Sequence, residues 1–130
     1  MTMTYPFDIR FRQLTEACGS CRLYRCAVKL RIYSGKKSLR LALIETLPIW
    51  RGQGMASEAL DIICDLADEF RLDIRLGSCS LVVNSDGLTD VQLSDWYKRH
   101  GFVTVEGNEM VRFPRNQSTL GVNYNDQRTS

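Results

Sequence analysis

The chain is poor in the residues that most metal and redox sites need. It has one histidine, His100, and no second Cys-x-x-Cys to join Cys18 and Cys21. A zinc site needs about four ligands at fixed spacings, so neither feature points to one. No apolar run approaches the ~20 residues of a membrane helix. The first residues, Met1-Thr2-Met3-Thr4-Tyr5-Pro6, lack the basic and apolar segments of a signal peptide. The reading is therefore a cytoplasmic protein with no membrane partner. No internal repeat is visible.

Five cysteines fit a reducing compartment: the count is odd, and Cys64 and Cys79 sit inside apolar patterns. A redox Cys-x-x-Cys normally opens a helix, and nothing after Cys21 has helical spacing. Reduced structural thiols are the expectation. Acidic residues are scarce in the first half. Residues 1–50 hold nine Lys/Arg and three Asp/Glu, a net of +6, and residues 51–130 carry −4. The total of +2 does not call for nucleic acid. A nucleic-acid contact through Arg10, Arg12, Arg22, Arg25, Lys29 and Arg31 is the least favoured reading. Solvated outer faces of strands account for the same charges.

What is present suits one folded domain: 130 residues, 44% hydrophobic and 25% charged. Tyr5, Phe7, Ile9 and Phe11 alternate with polar or small residues, which predicts a first strand. Cys26, Val28, Leu30 and Ile32 predict a second. Leu39, Leu41, Leu43 and Leu47 predict a third, paired to the second through the turn Ser34-Gly35-Lys36-Lys37. Residues 54–70 then change period. Ala56, Ala59, Leu60, Ile63, Cys64, Ala67 and Phe70 recur at three and four, an amphipathic helix. Residues 72–83 return to strand. Thr89 and Gln92 have the spacing of a capping box, so a second helix begins near Asp90 and stops at Gly101. Residues 102–105 and 110–113 are short strands joined at Gly107-Asn108. The strand at 39–47 connects through a helix to 72–83, so those two are parallel neighbours. The domain spans 1–114, and 115–130 is a polar tail.

Arg51-Gly52-Gln53-Gly54-Met55-Ala56 lies between the third strand and the first long helix. Amides at a helix start have no intrahelical partner, and the helix dipole adds positive charge there. Glycines let the backbone approach a phosphate closely. The stretch is a candidate cradle for a phosphorylated cofactor.

With Arg51-x-x-Gly54-x-Ala56, Trp96-Tyr97 and Gly101-Phe102 in this order, the chain resembles the GNAT superfamily of acetyl-CoA-dependent N-acetyltransferases. Leu47-Pro48-Ile49-Trp50 and Met110-Val111-Arg112-Phe113-Pro114 extend the likeness. The resemblance implies an α/β, GNAT-like mixed sheet, mostly antiparallel, with a splayed parallel pair and two main helices. It implies that the amides of Arg51, Gly52, Gln53, Gly54, Met55 and Ala56 meet the CoA pyrophosphate. It also implies that the backbone at Leu47 pairs with pantetheine, and that Tyr97 protonates the leaving thiolate. Partners are then acetyl-CoA and an amine acceptor, a small molecule or a protein. No Cys or Ser sits in a visible triad, so attack is direct. Glu45 is the candidate base, read on the same strand face as Leu41, Leu43 and Leu47. His100, at a helix end, is read as structural.

The family often has an asparagine where this chain has Asp90, which reads as a helix cap; Asn84 is the substitute. The family also places two helices between its first two strands. Residues 13–20 leave room for one short turn, so those helices are reduced or absent. The acceptor site is then open, completed by a homodimer partner, or covered by the tail. The alternative function is a catalytically weak or inactive GNAT-fold binding module.

Overall fold

The computed structural model describes residues 5–77 and 88–115. The order is α1 (Pro6–Leu14), β1 (Glu16–Cys18), β2 (Cys21–Tyr24), β3 (Val28–Ser34), β4 (Ser38–Thr46), a 3-10 turn (Pro48–Trp50), α2 (Met55–Glu69), β5 (Asp73–Gly77), α3 (Asp90–Arg99), β6 (Val103–Glu106) and β7 (Glu109–Arg112). The described strands form one sheet in the order β1-β2-β3-β4-β5-β7-β6. Only β4 and β5 pair in parallel; the other pairings are antiparallel. Among the described residues no helix is long and apolar enough to cross a membrane.

The predicted first strand is a helix instead. Pro6 sits in its first turn, where a missing N–H costs nothing. Phe7 and Phe11 are buried and stack at 5.6 Å, while Ile9 is 50% exposed. Positions 7 and 11 satisfy both a period of two and an i, i+4 helical face, so alternation alone misleads here. Among the described residues α1 is the one helix before the sheet, and the chain from Glu16 to Tyr24 forms a small hairpin with no helix between its strands.

The other long elements form where their patterns predict. α2 buries Ala59, Leu60, Ile63, Cys64, Leu66 and Ala67 against the sheet. Thr89 and Gln92 make both bonds of the capping box, at 3.2 and 3.0 Å. Gly101 ends α3 at φ +98°, a conformation that favours glycine. The part of the predicted strand beyond Gly77, and the tail from residue 116 on, lie outside the described residues.

A buried ion pair fastens α2 to β7. Arg112 donates to Asp68 through Nη1 at 2.8 Å and Nη2 at 3.0 Å. The Arg115 amide adds a bond to Asp68 at 2.8 Å, and Arg112 Nε reaches the His100 carbonyl at 3.1 Å. His100 Nδ1 lies 2.9 Å from Asp61 on α2, so the end of α3 is tied to the same helix. Much of the basic surplus in the first half is also engaged. Arg10 meets Glu69 at 3.1 Å, Arg25 meets Glu58 at 2.6 Å, and Arg22 donates to Thr15 and to the Arg12 carbonyl.

Candidate functional site

The site grows from an irregularity in β4. Its register against β3 shifts between Arg31 and Ile32, which pair with Leu43 and Leu41 and leave Ala42 as a bulge. Before the bulge, Leu39 and Leu41 are buried; after it, Ile44 and Thr46 are. Glu45 and Leu43 therefore face away from α2. This overturns the expected facing of Glu45, whose carboxylate instead lies 4.0 Å from Arg51 Nη2 on the far side.

The parallel ladder between β4 and β5 covers only Ser38 to Arg40 against Asp73 to Arg75. Both strands continue, β4 to Thr46 and β5 to Gly77. Among the described residues, the C-terminal half of β4 pairs with β3 on one edge, and its described ladder to β5 ends at Arg40. The Leu47 N–H donates to the Ala27 carbonyl at 2.7 Å, and its own carbonyl accepts from Trp50 N–H at 2.8 Å. Leu47 is thus tied to Ala27, in the turn before β3, and to the 3-10 turn. Backbone groups alternate along a strand, so Ile44 and Thr46 direct theirs away from β3. The Thr46 carbonyl accepts from Arg51 Nε at 3.2 Å on that side.

Beyond the 3-10 turn come Gly52 at φ +81° and Gly54 at φ +75°. A Cβ on either would meet no atom within 4 Å. Backbone conformation, not crowding, selects glycine here, and the space beside both is open. Gly54 is the N-cap of α2, and no side chain caps the helix. The first amides of α2 keep their donor capacity for an outside acceptor.

These pieces meet around a cleft of about 180 Å³. Gly52, Gly54, Met55 and Ala56 line it, with Ile44, Thr46, Trp50, Ser57, Leu88 and Trp96. Four of the predicted cofactor residues are thus brought together. Arg51 is folded back onto β4, and Arg51 and Gln53 do not line the cleft. Asn84 lies outside the described residues. Among residues that sequence reasoning missed, Ser57 accepts a hydrogen bond from Trp96 Nε1 at 2.8 Å. That bond holds α3 against the first turn of α2. The aromatic pair Trp96-Tyr97 was a legible signal for it; Ile44 and Thr46 had none, because the bulge is silent in the sequence.

Glu58, the acidic residue in the first turn of α2, would repel an anion there if it stood alone. It accepts instead from the Tyr24 hydroxyl and from Arg25 Nη1, both at 2.6 Å. The Tyr24 bond and then the Arg25 bond hold its carboxyl below the usual range. Arg25 makes its contact from a turn in which its own φ and that of the next residue, Cys26, are both positive, +52° and +57°. The sequence offered no sign of this trio, because neither residue is a glycine.

Tyr97 is wholly buried behind Trp96 and does not itself line the cleft; its ring lies against Trp96 at 4.9 Å and Phe102 at 5.3 Å. Its hydroxyl has no hydrogen-bond partner among the described residues. Burial pushes its pKa above the ordinary phenol value, so it is a proton donor throughout the neutral range. A buried donor without an acceptor costs stability, and a group that supplies an acceptor would recover it.

No protein-family model matches the chain, and no curated protein matches it. Among solved structures it is similar to the crystal structure of anti-CRISPR protein AcrVA5, with a TM-score of 0.54 at 20% identity, over 66% of this chain and 90% of that one. At that identity the likeness concerns the fold and not the chemistry. The neighbour has the GNAT fold, and this chain shares its mixed α/β architecture, a mostly antiparallel sheet with one parallel pair.

Proposed function

We propose that this protein is an acetyl-CoA-dependent N-acetyltransferase. One observation carries the reading. An uncapped helix start with two left-handed glycines opens onto a cleft beside the C-terminal part of β4, the strand that pairs in parallel with β5. A CoA-like ligand needs amides for a pyrophosphate and, beside them, a strand along which an extended, peptide-like arm can run. The Tyr97 hydroxyl supports the same fit, since among the described residues it lacks the acceptor that a buried donor requires.

In this reading Gly52, Gly54, Met55 and Ala56 hold the pyrophosphate. The chain at the end of β4, from Ile44 to Leu47, runs beside the pantetheine arm. Acetyl-CoA, when bound, supplies an activated acetyl group. Tyr97 donates a proton from its hydroxyl to the departing sulfur. The Tyr24–Arg25–Glu58 contact masks the acidic side chain in the first turn of α2. Glu45, beside Arg51 on the opposite face of β4, is not assigned the base. The acceptor is an amine.

The test is release of free thiol from acetyl-CoA by the purified chain, with a panel of amines and lysine peptides. Amine-dependent release above the protein-free rate is expected. Binding of acetyl-CoA with no release for any acceptor would replace the enzyme by a non-catalytic binding module, which the single N-terminal helix favours.

A further inference from the structure

The motif Cys18-Gly19-Ser20-Cys21 plays no part in the proposed chemistry. Its structure is not the helix start of a redox enzyme but the tip of a hairpin. β1 and β2 are antiparallel, and Cys18 and Cys21 are direct partners across a two-residue turn. Gly19, at φ +59°, supplies the positive φ that such a turn needs at its first position. Partners in an antiparallel pair project side chains to the same face with Cα atoms about 4.5–5.5 Å apart. A disulfide spans Cα separations of about 4.4–6.8 Å, so the bond forms without rebuilding the fold.

Both thiols are free and half-buried, so small reagents reach them. A cation stands beside one. Arg31 on β3 donates from Nη2 to Ser20 Oγ at 2.9 Å and to Cys21 Sγ at 3.3 Å. Cys26 sits in the turn between β2 and β3, where its thiol meets Glu16 at 3.4 Å. Negative charge on Cys21 is met by a guanidinium, and on Cys26 it is opposed by a carboxylate.

We propose that Cys18 and Cys21 are a reversible redox site, closed to an intrachain disulfide by thiol–disulfide exchange with a low-molecular-weight disulfide. Cys21 Sγ, its proton lost to solvent, attacks one sulfur of the small disulfide. A protein–small-molecule bond forms, the old S–S bond breaks, and one small thiolate leaves and takes up a proton. Cys18 Sγ, likewise deprotonated, then attacks Cys21 Sγ, the Cys18–Cys21 bond forms, and the second small thiol leaves. Two protein thiols are oxidised, and one small disulfide is reduced to two thiols.

The test uses the full chain, reduced and then equilibrated with graded ratios of oxidised to reduced glutathione, acid-quenched and alkylated. Arg12 and Arg22 place both cysteines in one tryptic peptide, residues 13–22. The expected product is that peptide lacking two hydrogens and refusing two alkyl groups, restored by a dithiol reductant. Cys18→Ser stops at the glutathione adduct on Cys21, whereas Cys26→Ser closes as wild type does. Arg31→Gln slows closure several-fold with little change in the midpoint ratio. A peptide alkylated twice at every ratio, or one that halts at the adduct in wild type, overturns the site. Closure of Arg31→Gln at the wild-type rate overturns Cys21 as the attacking sulfur.

Discussion

Replacing Tyr97 by Phe should make the protein more stable and the enzyme worse. The hydroxyl is fully buried and has no partner among the described residues. An unsatisfied buried polar group costs about 1–3 kcal/mol, and Phe removes it. Phe keeps the ring contacts with Trp96 and Phe102 and gives up only the contacts of one oxygen. A net gain of about 1 kcal/mol is expected, or about 3–5 °C in Tm for a chain of this size. Turnover should fall by about 10²-fold or more if the phenol is the acid, with acetyl-CoA affinity little changed. The pH dependence adds a second sign. Burial raises the phenol pKa in the folded state above its unfolded value, near 10. The unfolded chain then loses its proton first, so stability falls as pH rises above about 10, and Tyr97→Phe should remove that part of the fall. Urea unfolding of the ligand-free protein across pH measures both. A variant less stable by ~1 kcal/mol at neutral pH would mean that the hydroxyl is satisfied, and the reasoning from the orphaned donor fails.

Asp68→Asn removes the charge that faces Arg112 in a nearly water-free site, and breaking such a pair costs about 3–5 kcal/mol. The double replacement Asp68→Leu with Arg112→Met should recover most of that loss in urea unfolding; an equally unstable double variant would argue against charge burial as the cause. Cys64 makes a separate pH prediction. Burial pushes its thiol up to about 12, so its contribution is intact below the unfolded value near 8.5 and declines as pH rises toward the folded one. Cys64→Ala should flatten the stability profile over that alkaline window, and an unchanged slope would exclude the thiol as its source.

The elements with an unambiguous period were readable from sequence. α2 shows apolar spacings of three and four, and the Thr89–Gln92 capping box marks the start of α3. The glycine turn was readable because the two backbone positions at φ +81° and +75° favour a residue without a side chain. What was not readable depended on contacts between distant segments. Phe7 and Phe11 fit a strand face and a helix face equally, and only packing against the core decides between them. The Ala42 bulge leaves no residue signature, yet it turns Glu45 away from α2 and brings Ile44 and Thr46 to the cleft. Arg25 meets Glu58 across 33 positions, and Asp68 meets Arg112 across 44, pairings that no local pattern encodes.

Thermal unfolding with and without acetyl-CoA tests the central claim most directly. At about 100 times its dissociation constant the ligand should add about 2.7 kcal/mol to the stability of the wild-type chain. Gly54→Val forces a β-branched residue to φ +75° at the helix start and should abolish that increment. Gly107→Val, at φ +54° in the β6–β7 turn and outside the cleft, carries similar strain and should keep it. No stabilisation of the wild type by acetyl-CoA, or an equal one in the Gly54→Val protein, would contradict the account.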